Sequence, residues 1–185
     1  MLTGVGIDVP KADRQARSAT IARRVKTIPA MLGVTAAALA TAPAVVPALA
    51  AYDLLVRRPK LPLTRTYLFG LQYLLNDSLE IVVAPALWAC AGFGTRLESP
   101  ASIRWHQRLQ TWSLRVLEKR ASQLLGLRVE LDRPLPPVRF PAIVVSRHVS
   151  VFDSSLPALV LSPVTEQIRG VMMAEMLADA GMDIV

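Results

Sequence analysis

The sequence predicts an α/β domain preceded by N-terminal membrane-associated helices, and three observations predict it. Residues 28–51 contain no charged side chain, and a second apolar stretch over 67–93 is interrupted by Asn76, Asp77, Ser78 and Glu80. Beyond residue 125, short apolar runs bounded by prolines follow one another in the order strand, helix, strand. Composition agrees with the first two: the 185 residues are 52% hydrophobic and 19% charged, with a mean hydropathy of +0.39. The net charge of +7 admits nucleic acid or an anionic membrane as partner. Much of it flanks apolar segments, so the distribution points to anionic membrane lipids, with no nucleic acid expected.

Residues 1–27 form a basic tail carrying Lys11, Arg14, Arg17, Arg23, Arg24 and Lys26 against Asp8 and Asp13. Residues 28–55 are the transmembrane or membrane-embedded helix. Their uncharged stretch gives roughly 36 Å of helix at about 1.5 Å per residue, against a hydrocarbon core of about 30 Å. The run is rich in Ala, and Pro43 and Pro47 predict a kink, so an interfacial segment is a second reading. A secretory signal is a third, from Arg23-Arg24 before a run that ends in Ala48-Leu49-Ala50.

A basic linker, 56–66, carries Arg57, Arg58, Lys60 and Arg65. The second membrane-associated segment spans 67–95. A charge at the bilayer centre costs about 2.5–3.5 kcal/mol, so Asp77 and Glu80 predict a helical hairpin or an interfacial arrangement there. Tail and linker are both basic, which leaves orientation open. If both segments cross, the tail and the C-terminal part share one side, expected to be cytoplasmic.

Residues 96–125 hold a basic amphipathic helix. Trp105, Leu109, Trp112, Val116, Leu117, Ala121, Leu124 and Leu125 recur at helical spacing between Arg104, Arg108, Arg115, Lys119 and Arg120. The stripe either lies on an anionic membrane or packs against the adjoining domain. His106 has no acidic neighbour at catalytic spacing and reads as a surface or packing residue. The single cysteine, Cys90, sits among apolar residues and reads as a buried, inert thiol. The sequence has no cysteine and histidine cluster with metal-ligand spacing.

In the last segment, 126–185, residues 127–131 read as a strand, Pro134, Pro136 and Pro137 as a loop, and 142–146 as a buried strand after Pro141. A helix is expected over 153–161, stopping before Pro163, and another strand over 168–172.

The chemistry sits in this segment. His148 directly follows the expected strand, and Asp153 stands five positions later, where the helix should begin. Along one regular helix five residues turn two side chains about 140° apart, but a turn between strand and helix lets the carboxylate fold back onto the imidazole. Such a carboxylate fixes the imidazole tautomer and stabilises the imidazolium, which makes His148 a general base. The bland alternative is a loop histidine beside a helix-capping Asp153.

The segment 146–155, Ser-Arg-His-Val-Ser-Val-Phe-Asp-Ser-Ser, resembles the first motif, His-x-x-x-x-Asp, of the glycerophospholipid acyltransferases, the family that includes 1-acylglycerol-3-phosphate acyltransferase. Residues 125–131 resemble the strand preceding that motif and 170–177 the strand following it, with Glu175 matching a Lys-x-Glu-Leu-like segment in kind. Arg147 stands where the family usually has Asn. The family's downstream Arg-containing and Glu-Gly-Thr-Arg-like blocks have no counterpart, so the chain is expected to be the first part of an α/β acyltransferase domain and to show little activity alone.

The resemblance implies that His148 deprotonates the hydroxyl of a lysophospholipid or glycerol phosphate as it attacks the thioester of acyl-CoA or acyl carrier protein, while Asp153 orients His148. It implies no metal and no bound cofactor, since the acyl donor is a substrate. The alternative from another class is a non-catalytic basic membrane-anchored protein.

Overall fold

The computed structural model describes residues 9–130, 143–145 and 156–162, with side chains from Ser18 onward. Four helices occur there: α1 (Val9–Leu55), α2 (Pro62–Cys90), α3 (Pro100–Leu125) and α4 (Leu156–Leu161). Among the described residues there is no strand, which overturns the α/β expectation and leaves an all-helical architecture. Residues 127–130 and 143–145, both read above as strand, carry no regular structure and are exposed, Ile143 to 94%. A strand exists only where a neighbouring chain takes up its N–H and C=O groups, and a short apolar run does not supply that neighbour. The strand expected over 168–172 lies outside the described residues.

α1 runs unbroken through Pro29, Pro43 and Pro47. All three are exposed, so the hydrogen bonds they delete lie on the face turned away from the rest of the molecule. The opposite face recedes from solvent at Thr27, Met31, Thr35, Ala38, Ala42, Val45, Leu49 and Asp53, a spacing of three or four that keeps one stripe against a neighbour along most of the helix.

That neighbour is α2, which is also continuous. The chain does not turn at the polar cluster 76–80, so the hairpin reading gives way to a single straight-through helix. Tyr67 Oη donates to Ala38 O at 3.2 Å, and Thr35 Oγ1 donates to Leu74 O at 3.4 Å, so α1 and α2 are antiparallel. Arg65 Nη2 donates to Gln123 O at 3.1 Å while Asn76 reaches Ser113, which makes α3 antiparallel to α2 in turn. α2 therefore lies between α1 and α3, and α4 packs on α3.

The ends of α3 are written in the sequence. Ser99 accepts from the Ser102 N–H at 3.2 Å, Pro100 occupies the first helical position, and Gly126 takes φ 73° beyond the last turn. The reversal between α2 and α3 places Gly92, Phe93 and Gly94 at positive φ. A Cβ on Gly94 would come within 2.9 Å of Trp88 Nε1, so the indole lies where only glycine leaves room.

Candidate functional site

His148 and Asp153 lie outside the described residues. The element that follows them is placed: α4 begins three positions after Asp153 and buries Leu161. Ser162, just past α4, donates to Leu159 O at 3.0 Å and accepts from Arg115 Nη2 at 3.5 Å. The downstream flank of the motif is thus held on α3, whose exposed basic face supplies the contact.

The described residues bring together a different set of polar groups. Thr35 Oγ1 lies 2.8 Å from Ser78 Oγ. Asn76 Nδ2 donates to the Ser113 hydroxyl and to Ser113 O, and the Ser113 hydroxyl donates to the Glu80 carboxylate. One seam therefore joins α1, α2 and α3 through side chains from the cluster that breaks the second apolar stretch. The sequence reading took that cluster as an obstacle to membrane burial and assigned it no partner; Thr35 and Ser113 are the partners, 43 and 33 residues from Ser78 and Glu80. The hydroxyl of Thr35 inside an Ala-rich run is a local signal that points to them, although Thr41 in the same run bonds only back to its own helix.

A second group escaped the sequence reading. Asp53, fully buried at the end of α1, accepts through Oδ2 from the Thr64 N–H and the Thr64 hydroxyl, both at 3.0 Å. Leu61, the residue before α2, adopts φ 49° and offers no capping side chain. The carboxylate of the preceding helix takes over that task, at the end of α2 where unpaired N–H groups favour negative charge.

The polarity of the molecule is inverted. Thr35, Asp53, Thr64, Asn76, Asp77, Ser102 and Ser113 are buried, while Ile21, Val25, Leu32, Val34, Leu39 and Leu54 of α1 and Leu63, Leu75, Leu79 and Val82 of α2 are exposed. α1 over Ser18–Leu55 is long and apolar enough to cross a membrane. On α3 the tryptophans of the expected apolar stripe face outward, Trp105 40% and Trp112 46% exposed, and the buried positions are the small Ser102, Ser113 and Ala121.

The other sequence candidates resolve plainly. His106 is half-buried and donates from Nδ1 to Ser102 O, 2.9 Å away and one turn back, a structural bond within α3. Cys90 is exposed, contrary to the buried thiol expected from its apolar neighbours, because it lies on the outward face of α2. Among the described residues no three His, Cys, Asp or Glu side chains converge as metal ligands. An open concavity of about 480 Å³ follows the loop Gly94–Ser99, lined by that one segment of chain. No protein-family model, curated protein or solved structure matches the chain.

Proposed function

We propose that this chain belongs to a membrane-held acyltransferase that moves a fatty acyl group from acyl-CoA or acyl carrier protein to the hydroxyl of a lysophospholipid or glycerol phosphate. The observation that carries the reading is the spacing of His148 and Asp153 within the segment 146–155, immediately ahead of a helix seated on α3. His148 takes the proton of the acceptor hydroxyl as its oxygen attacks the thioester carbonyl, and the thiolate leaves and is reprotonated. Asp153 holds the imidazole in the tautomer that can accept that proton. Apolar outward faces on α1 and α2 support a membrane location, where amphiphilic acceptor and product both reside. The reactive segment faces the cytoplasm in this reading.

Membranes containing this chain joined to the family's downstream Arg-containing and Glu-Gly-Thr-Arg-like blocks are expected to transfer labelled acyl groups to lysophosphatidate. The chain alone should transfer little, and His148→Ala in the joined protein should lower the rate by about 10²–10⁴. Wild-type rates in that variant would overturn the base assignment. The rival reading, a non-catalytic basic membrane protein, is favoured by the helical unit, whose described features are complete without the motif. Absence of acyl transfer by the joined protein as well would favour it.

A further inference from the structure

We infer that the α1–α2–α3 layer lies in the plane of one leaflet of an anionic bilayer rather than crossing it, with α1 among the acyl chains and the outward face of α3 among the headgroups. The inference rests on the membrane location proposed above and is independent of acyl transfer.

The direction of the polarity gradient carries it. In a bundle that spans a bilayer, charge concentrates at the helix ends and the middle is apolar along every outward face. Here the gradient runs across the layer. Arg104, Arg108, Arg115, Lys119 and Arg120 are all exposed and distributed along α3 from its first turns to its last, whereas Ile21 to Leu54 keep the outward face of α1 apolar over most of its length. Because α3 is antiparallel to α2, and α2 to α1, an upright α1 would carry α3 upright beside it. Arg108 and Arg115 flank the midpoint of α3 and would then sit at mid-bilayer.

Charge at the ends of α1 points the same way. Arg23, Arg24 and Lys26 stand just before its uncharged stretch 28–51, and Arg57, Arg58 and Lys60 directly after its end. A crossing helix would place one of these clusters on the side that basic segments avoid, whereas an in-plane helix keeps both on one side. On α3, Glu118 is the single acidic residue against five exposed basic ones, and Trp105 and Trp112 stand among them, the pairing of indole and cation suited to an anionic headgroup layer.

The test uses the full chain with Cys90→Ser, carrying either Ala19→Cys or Lys60→Cys, in sealed membrane vesicles of uniform orientation. A membrane-impermeant maleimide is added before and after permeabilisation. Both cysteines are expected to react from the same side. Reaction from opposite sides would overturn the in-plane orientation while leaving the membrane location standing. In a second arm the chain is synthesised cell-free into an equal mixture of phosphatidylcholine vesicles and vesicles that also contain phosphatidylglycerol. The wild-type chain should collect on the anionic population, and a variant with Arg108→Gln, Arg115→Gln and Lys119→Gln should lose that preference by about a hundredfold. Equal distribution of the wild-type chain, or its diversion from vesicles by added RNA, would overturn the headgroup assignment. Recovery with neither vesicle population would sink the membrane location and the inference together.

Discussion

Asp53 does work that its sequence position conceals. It ends an apolar helix, yet its carboxylate serves the next one, accepting from both the N–H and the hydroxyl of Thr64. Asp53→Ala should lower the melting temperature by several degrees and speed hydrogen exchange at the Thr64 amide, whereas Asp53→Asn, which retains an acceptor, should do so less. Equal exchange at that amide in Asp53→Ala and the wild type would refute the cap. Gly126 presents the complementary case. Its φ of 73° is what turns the following N–H, that of Leu127, back to Ala121 O at 3.4 Å, and nothing stands within 4 Å of a Cβ added at Gly126. Gly126→Ala should therefore cost about 1 kcal/mol from backbone strain alone, measurable by denaturant unfolding in detergent.

At the scale of elements, the seam between α1, α2 and α3 explains how a helix containing Asn76, Asp77, Ser78 and Glu80 stays continuous. The polar side chains turn inward, where the neighbouring helices supply partners, while Leu63, Leu75, Leu79 and Val82 turn outward. Small buried residues on α3 let the backbones approach closely enough for these short side chains to meet. Ser113→Ala deletes two side-chain bonds of the seam at once, from Asn76 and to Glu80, so it should destabilise the helical unit by about 1–3 kcal/mol. In a double-mutant cycle, Asn76→Ala and Ser113→Ala should combine to less than the sum of their separate effects, because both delete one bond. Strict additivity would mean that the seam is not a connected network.

For the whole molecule, the decisive property is that many large apolar side chains face outward on α1 and α2 while most buried positions are small or polar, Ile81 and Leu161 being the large apolar ones among the described residues. In water such an arrangement exposes what folding normally hides, and the largest driving force for folding is absent. In lipid the same arrangement is consistent, since outward apolar groups meet acyl chains and inward polar groups meet one another. The chain is accordingly expected to stay with membranes through an alkaline carbonate wash and to be released by detergent. Release by the wash alone would contradict the lipid-facing role of α1.

Several features were legible from residues taken singly or in local order. The apolarity of α1, the helical periodicity of α3, the basic distribution and the spacing of His148 and Asp153 are all local properties of the chain. Which face turned inward was not. Hydrophobic periodicity on α3 left the Trp105 and Trp112 stripe either on an anionic membrane or against the adjoining domain, because both need the same apolar face. The packing face proved to be the line of Ser102, Ser113 and Ala121, as expected where close approach and hydrogen bonding replace the hydrophobic driving force. The cluster 76–80 looked like a turn because its partners, Thr35 and Ser113, stand in other helices. Residues 127–130 and 143–145 looked like strands because their apolar runs are local, while the pairing that makes a strand is not. The sequence determines the helices and the chemical groups they carry; antiparallel packing selects which groups meet in the seam, because each meeting there joins residues more than thirty positions apart.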